Sequence, residues 1–455
     1  MNEHGQRSSM ISNVVTKRGI RAAAIQAAAA LWLVTLAPAA QAQLSIEIRR
    51  GVERPVPIAV VPFGWEGSGP APYDLAGVVA ADLGNSGRFE PVPVADLVSR
   101  PTQPVQVNFQ DWRISEVDVL VIGQLRSTGA DQYTAEFQLF DVLRGRQLLG
   151  FRLTSSRADL RATGHRIADM IFEELTGIPG VFGTQIAYVS ELRDGTGQPR
   201  YQLIVADADG ANPRVIADSP RPLMSPAWSP DGRRIAYVSF EGDQSAIYVQ
   251  TLRTGNRERV SARAGVNGAP TFSPDGRRLA LTLSLNDGNL DVYTLDLTTQ
   301  VIRRLTDSPA IDTEPAWAPD GETIYFMSDR SGGPQVYRVS AEGGRAQRVT
   351  FEGAYNARPR VSPDGEQIAV VHQTQQGDFR IAVVDPDSGL TQVLSNGRLD
   401  ESPSFAPNGA VLIYATKESG KGVLASVSTD ARIQQEIASG EGDVREPAWS
   451  PFPRP

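Results

Sequence analysis

Short apolar runs recur at a fixed distance through the C-terminal 275 residues of the chain. Segments such as RIAYVS, RLALTLS and TIYFMS are rich in β-branched and aromatic residues, which is typical of β-strands. Each follows Pro-Asp-Gly or a close variant, a turn sequence in which Pro sets φ and Gly accepts a positive φ. The prolines that open this motif, 44 or 45 residues apart, are Pro226, Pro270, Pro315, Pro359, Pro403 and Pro447. Such a constant spacing indicates a structural repeat.

Each repeat contains four predicted strands. After the motif come the run above, a second run such as AIYVQTL or DVYTLDL, and a short segment such as RERVS or IRRLT. Four strands in about 44 residues match the size of one blade of a β-propeller, whereas a β-sandwich or a β-helix does not account for this period. The sequence therefore predicts an all-β propeller with four-stranded blades.

The two ends of the repeat region complement each other. The segment VFGTQIAYVS (181–190) resembles the second half of the motif but lacks the first half, and EPAWSPFP near the C-terminus supplies a first half with nothing after it. We expect the C-terminal strand to complete this blade and so close the ring without leaving an open sheet edge. Residues 181–455 are thus predicted to form six blades.

Residues 55–178 lack the repeat and predict a small α/β domain. PVPIAVVPF and VDVLVIGQL read as buried strands, and YDLAGVVAADLGNSGRF reads as an amphipathic helix. A hairpin turned at Arg144 and Gly145 follows, and then a closing helix that carries His165. We interpret this histidine as a packing or helix-surface residue rather than a catalyst.

The first 42 residues have the order of a secretory signal peptide: a basic segment, an apolar run and small residues before the cleavage site. We predict cleavage after Ala42. The alternative is a membrane anchor, but the alanine-rich run from Ala22 to Ala37 is short against the roughly 20 residues that a membrane helix needs. The sequence therefore predicts a periplasmic protein with no transmembrane segment in the mature chain.

Residues 43–54 connect the predicted signal peptide to the α/β domain. Their apolar residues Leu44, Ile46 and Ile48 alternate with polar ones, as in a strand. Two interpretations remain open: an edge strand of the α/β sheet, or an arm that adds to a partner.

The composition of the chain excludes several kinds of site and disfavours one class of partner. The chain contains no cysteine and three histidines, so disulfides, thiolate metal sites and histidine-rich metal sites are excluded. Residues 1–42 hold four basic residues and one acid, so removing them changes the net charge from −8 to −11. This negative charge disfavours nucleic acid as a partner.

The candidate functional residues are charged side chains just before the motif prolines, where each inner strand is predicted to begin near the channel. Glu314, Glu401, Glu446, Arg358 and Arg445 are predicted to surround one mouth of the channel. We interpret this mixed charge as a recognition rim, since the sequence lacks G-x-S-x-G, Walker A and H-E-x-x-H motifs. The alternative is a hydrolase or lyase that uses channel carboxylates. A bound cation such as calcium is compatible with the acidic channel, but no ligand motif specifies a metal site.

Several segments, in the same order along the chain, resemble the TolB family of periplasmic propellers from the Tol-Pal envelope system. They are PIAVVPFGWEG, VVAADLGNSGRF, EELTGIPGVFGTQIAYVS, PLMSPAWSPDG, NGAPTFSPDG, TEPAW, GGPQVYRV, APNGAVLIY and PAWSP. The resemblance implies a non-enzymatic adaptor that binds the lipoprotein Pal on the propeller and TolA through the N-terminal region. It also implies a role in outer-membrane invagination at division and in envelope integrity, with other Tol-Pal or outer-membrane lipoproteins as further possible partners.

The resemblance also assigns residues to these interactions. It implies that the TolA-binding switch arm comprises Gln43, Leu44, Ile46, Ile48, Arg49 and Arg50. It implies that the Pal-binding rim comprises Met224, Ser225, Asn267, Gly268, Ala269, Thr313, Glu314, Arg358, Glu401 and Ser402. This sequence departs from the family at Val266, where the family often has histidine.

Overall fold

The structure, a computed structural model, describes residues 54–193, 195–285, 288–438 and 440–453. The predicted signal peptide, with its cleavage site after Ala42, and the switch arm up to residue 53 lie outside these residues. Within the described part of the chain, no helix combines the length and the apolar character needed to cross a bilayer.

An α/β domain comes first. Its elements in chain order are β1 (Val56–Val60), β2 (Gly64–Glu66), α1 (Leu75–Asn85), β3 (Phe89–Pro91), α2 (Phe109–Ile114), β4 (Val119–Ser127), β5 (Gln132–Asp141), β6 (Arg146–Ser156) and α3 (Leu160–Thr176). The sheet has the order β3-β1-β4-β5-β6, with β2 paired to β4. Strand β1 runs parallel to β3 and β4, and the last three strands are antiparallel.

Helices α1 and α3 pack against each other beside this sheet. Gly164 in α3 permits their close approach, because a Cβ atom at this position would lie 2.9 Å from Val78 of α1. The core includes the fully buried residues Ala59, Leu120 and Ile122. The fold class predicted for this part of the chain is confirmed.

The propeller consists of six four-stranded sheets. Blade 1 contains β7 (Gln185–Arg193), β8 (Pro199–Asp207) and β9 (Arg214–Ser219), completed by β30 (Asp443–Trp449). Blades 2 and 3 contain β10 (Leu223–Trp228), β11 (Arg234–Ser239), β12 (Ala246–Thr251), β13 (Arg257–Ser261), β14 (Asn267–Phe272), β15 (Arg278–Leu283), β16 (Asp291–Asp296) and β17 (Ile302–Arg304). Blades 4 to 6 contain β18 (Asp312–Trp317), β19 (Thr323–Ser328), β20 (Gln335–Ser340), β21 (Gln347–Arg348), β22 (Asn356–Val361), β23 (Ile368–Gln373), β24 (Phe379–Val384), β25 (Thr391–Val393), β26 (Glu401–Phe405), β27 (Val411–Glu418), β28 (Lys421–Ser428) and β29 (Gln434–Ile437).

The ring is closed as the sequence predicts. Strand β30 pairs antiparallel with β7, and Ala448 lies opposite Ala187. The Ser450 N–H donates to the Gln185 carbonyl at 2.8 Å, and the Trp449 indole N–H donates to Thr184 Oγ1 at 2.8 Å. The inner strands β10, β14, β18, β22, β26 and β30 contact their neighbours around the ring and so line its channel.

The α/β domain contacts only one end of the propeller among the described residues. Arg88 pairs with Asp430 at 3.0 Å, and Asn408 Nδ2 donates to the Pro179 carbonyl at 2.9 Å. Asn408 and Asp430 lie in turns at the end of the ring where the Pro-Asp-Gly turns connect the first two strands of each blade. The opposite end, where each inner strand begins, faces away from the α/β domain.

Candidate protein-binding mouth of the propeller

Each inner strand is interrupted at the same place, where the motif proline follows. In blade 2, Met224 pairs with Val238 and Ala227 pairs with Ala236. Between these two pairs the chain advances by three residues on β10 but by only two on β11. This is a β-bulge, and the register shifts in the same way in all six blades. The residue just before each proline has a positive φ, between 45° and 56°, at Ser225, Ala269, Glu314, Arg358, Ser402 and Glu446.

These six residues form what we call the bulge ring. A side chain at such a φ strains the backbone by about 1 kcal/mol or more, and none of the six is glycine. The strained conformation therefore fixes the direction of six side chains around one end of the channel. Such strain is concentrated at functional sites in many proteins.

Charged members of the bulge ring meet across the channel. The Arg358 guanidinium lies 3.2 Å from Glu314 in blade 4 and 3.4 Å from Glu446 in blade 1, and it bonds Ser402 in blade 6. Burial lowers the pKa of Arg358, but the carboxylates of Glu446, Glu314 and Glu401 outweigh it and raise this pKa overall. Arg358 therefore links its own blade 5 to blades 1, 4 and 6.

The same carboxylates bind backbone groups of the next blade. Glu314 Oε2 accepts the Arg358 N–H at 2.8 Å, and Glu446 accepts the Ser225 N–H. Arg360 also lies near this network, and burial lowers the pKa of its guanidinium despite the attraction of Glu314. Glu314 and Glu446 are thus each engaged in an ion pair and a backbone hydrogen bond.

Two charged positions of the predicted rim make no direct ion pair with Arg358 among the described residues, although Glu401 acts on it through its charge. Arg445, which the sequence analysis included in the charged ring, instead pairs with Glu191 of the adjacent strand at 2.9 Å, near the surface. Glu401 lines a neighbouring cavity of about 190 Å³ together with Lys417, Asp443 and Arg445. The mixed charge of the mouth therefore comprises a buried network around Arg358 and a neighbouring cavity, with Glu401 close to both.

The remaining predicted rim residues differ in exposure. Met224 is exposed, Gly268, Ala269 and Thr313 are partly exposed, and Thr313 Oγ1 lies 3.1 Å from Thr282 Oγ1. Ser402 is buried beneath Arg358. Asn267 has no exposed surface, so its side chain lies beneath the predicted rim.

Asn267 belongs instead to a set of buried polar side chains three residues before the motif proline. Its Oδ1 accepts from Ser261 Oγ at 2.7 Å and from the Arg263 N–H at 3.0 Å. The equivalent Asp312 accepts two hydrogen bonds from Arg330, at 2.7 and 2.9 Å. Satisfied buried networks of this kind rigidify their surroundings, so we infer that they hold the mouth loops in place.

The mouth also carries exposed apolar residues, of which the sequence analysis named Val266 alone. Val266, Ile311 and Leu399 are 45%, 42% and 41% exposed, and each lies four residues before a motif proline. Tyr355 occupies the same position in blade 5 and is half-buried. An alignment of the repeats could have revealed these residues, because the position four residues before the motif proline is apolar in five of six repeats. The residues at this position are Pro222, Val266, Ile311, Tyr355, Leu399 and the exception, Asp443. We call the set of Val266, Ile311, Tyr355 and Leu399 the apolar rim.

Comparison with known proteins agrees with both parts of the architecture. The family model for the TolB amino-terminal domain matches residues 44–148, and the model for the TolB beta propeller domain matches residues 172–453. The chain belongs to the TolB family. The family assignment from the sequence segments is therefore confirmed.

Named relatives support this membership over nearly the whole chain. A Tol-Pal system protein TolB of Thioalkalivibrio sulfidiphilus is 51% identical over 425 residues, which cover 93% of this chain and 97% of the relative. A Tol-Pal system protein TolB of Xanthomonas oryzae pv. oryzae is 49% identical over 430 residues, covering 94% and 97%. The crystal structure of TolB from Acinetobacter baumannii superposes with a TM-score of 0.81 at 41% identity, covering 88% of this chain and 97% of that one. TolB-family membership makes the chain a component of the Tol-Pal system.

Proposed function

We propose that this TolB-family chain is a non-enzymatic periplasmic adaptor that binds Pal at the propeller mouth and TolA through its N-terminal region. Through these contacts it supports outer-membrane invagination at division and envelope integrity. The observation that carries the proposal is the apolar rim, which lies on blades 3 to 6 at the same end of the propeller as the buried charge network, the end that faces away from the α/β domain.

The apolar rim suits a protein partner. Protein interfaces combine a desolvated apolar patch with fixed polar groups, and a few large apolar side chains commonly dominate their affinity. Val266, Ile311 and Leu399 provide the apolar contacts, while Met224 adds a flexible side chain from blade 2. The bulge ring and the buried Asn267 and Asp312 networks hold these loops, so little ordering entropy is lost on binding.

We assign Pal contact to the Pal-binding rim of the sequence analysis, but two of its residues take a different role. Asn267 and Ser402 support the rim from the interior, because both are buried. Ala269, Thr313 and Glu314 remain positions at which Pal approaches the bulge ring. Val266 adds an apolar contact at the position where the family often has histidine.

TolA contact rests on the N-terminal segment. Its residues Gln43, Leu44, Ile46, Ile48, Arg49 and Arg50 lie outside the described residues, and the proposal for them stands on their strand-like alternation and on the family. An alternating segment of this kind can add a strand to a sheet edge of its partner, with main-chain hydrogen bonds supplying affinity.

The enzymatic alternative is weakened by the engagement of the channel carboxylates. Glu314 and Glu446 each contact Arg358 and accept a backbone N–H from the following blade, so use as a general base requires breaking two interactions. Turnover of glycans or peptidoglycan fragments by the purified protein, lost in Glu401→Gln, would favour the hydrolase or lyase instead.

Pal binding tests the adaptor proposal. We expect Val266→Asp and Ile311→Asp each to weaken the binding of soluble Pal by at least about tenfold in calorimetric titration, because a charge enters the apolar rim. Val301→Asp is the matched control, since Val301 is 62% exposed in a turn at the opposite end of the propeller. Equal affinities for all three variants and the unchanged protein would contradict the proposed rim.

A further inference from the structure

The sheet of the α/β domain ends in a long strand that is paired on one side. Strand β6 pairs with β5 and lies at the end of the strand order β3-β1-β4-β5-β6. Among the described residues, no strand pairs with the other side of β6. Alternate residues of such an edge strand direct their N–H and C=O groups away from the sheet, where another chain can bind them.

Length distinguishes β6 from the other edge strands of the molecule. The outer strands of the six blades, β9, β13, β17, β21, β25 and β29, contain between 2 and 6 residues. Strand β3, at the opposite edge of the α/β sheet, contains 3 residues and ends at Pro91. Short strands and proline keep sheet edges from pairing with other chains. Strand β6 has 11 residues and no proline, and at about 3.3 Å per residue it offers an edge of about 36 Å.

Apolar side chains along β6 are incompletely covered. Phe151 is 46% exposed, although its ring stacks on the fully buried ring of Phe137 in β5, with 6.1 Å between the ring centroids. Leu149 and Leu153, two residues before and after Phe151, lie on the same face of the strand and are half-buried. A strand added at this edge places a side chain beside Phe151 and covers it, as cross-strand neighbours do.

The charge along β6 is positive. Four arginines and no acidic residue lie between residues 142 and 158, in a chain whose net charge is −8. The arginines are Arg144, Arg146, Arg152 and Arg157. Arg144 and Arg152 pair with carboxylates of β5, whereas Arg146 and Arg157, at the two ends of β6, form no ion pair with a described residue. Asp159, just beyond this stretch, accepts a hydrogen bond from Ser156 Oγ at 2.5 Å.

We propose that the outer edge of β6 binds an extended acidic segment of a partner protein, which becomes a further strand of the α/β sheet. Main-chain hydrogen bonds to β6 supply affinity, as in other cases of strand addition. Carboxylates near the two ends of the segment pair with Arg146 and Arg157, and an apolar residue between them packs beside Phe151. This contact lies on the α/β domain and is separate from the apolar rim at the propeller mouth.

Charge disfavours two other occupants of this edge. Two copies of β6 paired antiparallel about Phe151 bring Arg146 of one copy close to Arg157 of the other, and opposed like charges destabilise a strand pair. The arm of this chain, residues 43–53, contains two acids and two arginines and so has no acidic excess. We therefore assign the edge to a different protein.

A synthetic peptide tests the proposal on the mature protein. The probe is a fluorescein-labelled peptide as long as β6, with 11 residues, in which threonine and valine alternate between glutamates at the two ends. The control peptide has lysine at both ends. We expect the glutamate peptide to bind at least about tenfold more tightly in fluorescence anisotropy, because it brings opposite rather than like charges to Arg146 and Arg157. Binding should also slow hydrogen exchange of the β6 amides, because they enter a second strand pairing.

Charge exchange provides the matched variants. Arg146→Glu combined with Arg157→Glu should reverse the preference, so that the lysine peptide binds at least about tenfold more tightly than the glutamate peptide. Arg233→Glu combined with Arg277→Glu changes the net charge equally at two exposed positions of the propeller. This control should leave the preference for the glutamate peptide unchanged.

Several results overturn the proposal. They are absence of binding of the glutamate peptide at about 1 mM, loss of the preference in the propeller control, and slower exchange outside β6 alone. If deletion of residues 43–53 speeds exchange of the β6 amides, the chain's own arm occupies the edge instead. If these amides exchange more slowly as the protein concentration rises, a second copy occupies it.

Discussion

Arg358 in blade 5 and Glu446 in blade 1 form an ion pair with 3.4 Å between the guanidinium and the carboxylate. Blade 6 separates the two blades along the ring, so the pair spans the channel. Glu446 belongs to β30, the strand that closes the ring, and its side chain is 7% exposed. Closure of the propeller is therefore supported by buried charge as well as by backbone pairing.

Removing one partner of this network should destabilise the fold. Arg358→Met leaves Glu314 and Glu446 without their guanidinium, and a buried charge that loses its partner costs about 3–5 kcal/mol. We expect a lower midpoint in chemical unfolding. The double variant Arg358→Met with Glu446→Gln should recover part of the loss, and additive losses would contradict the pairing.

Loss of the C-terminal strand should open the ring. Deleting residues 447–455 removes Ala448 and Trp449 and with them the pairing to β7. We expect faster proteolysis of blade 1 and a lower thermal midpoint, because β7 would become an unprotected edge. Deleting only residues 454–455 is the control, and it should leave both measurements unchanged. Equal stability of the two truncated chains would show that β30 is dispensable.

The positive φ of the bulge ring should make β-branched residues costly there. Ala269 has a φ of 45°, so Ala269→Val should lower the free energy of unfolding by about 1–3 kcal/mol. Ala269→Gly should be nearly neutral, because relief of strain offsets the added flexibility of the unfolded chain. Chemical unfolding of both variants measures the contrast, and equal effects would argue against strain at this position.

His372 should make the propeller less stable in acid. Its Nδ1 lies 2.9 Å from Asn356 Oδ1, and burial lowers the pKa of this imidazole, with Glu352 opposing the shift. Because the folded pKa lies below the unfolded value of about 6.5, the unfolded chain binds the proton first as the pH falls. Stability from this residue is therefore present above about pH 6.5 and is lost below it.

A matched variant isolates this contribution. We expect the difference in unfolding free energy between the unchanged protein and His372→Gln to shrink as the pH falls from about 7.5 toward the lowered folded pKa. Chemical unfolding at a series of pH values measures the difference, in which any contribution of His165 cancels. A constant difference across that range would contradict the lowered pKa of His372.

The repeat is the part of the architecture that the sequence determined by itself. Turn chemistry and apolar periodicity act over a few residues, so the spacing from Pro226 to Pro447 was sufficient to predict the blades. The missing first half before VFGTQIAYVS likewise predicted that β30 closes blade 1. Both inferences required only local structure and the rule that sheet edges are paired.

Tertiary structure alone decided where the side chains of the mouth point. A bulge inserts one residue and so changes which face of the strand the following side chains occupy, and no local pattern marked it. It brought Arg358 to Glu446 while Arg445, one residue away from Glu446, turned to Glu191. Likewise, Asp82, His165 and Asp209 are far apart in sequence, and only the packing of the α/β domain on blade 1 brings their side chains together.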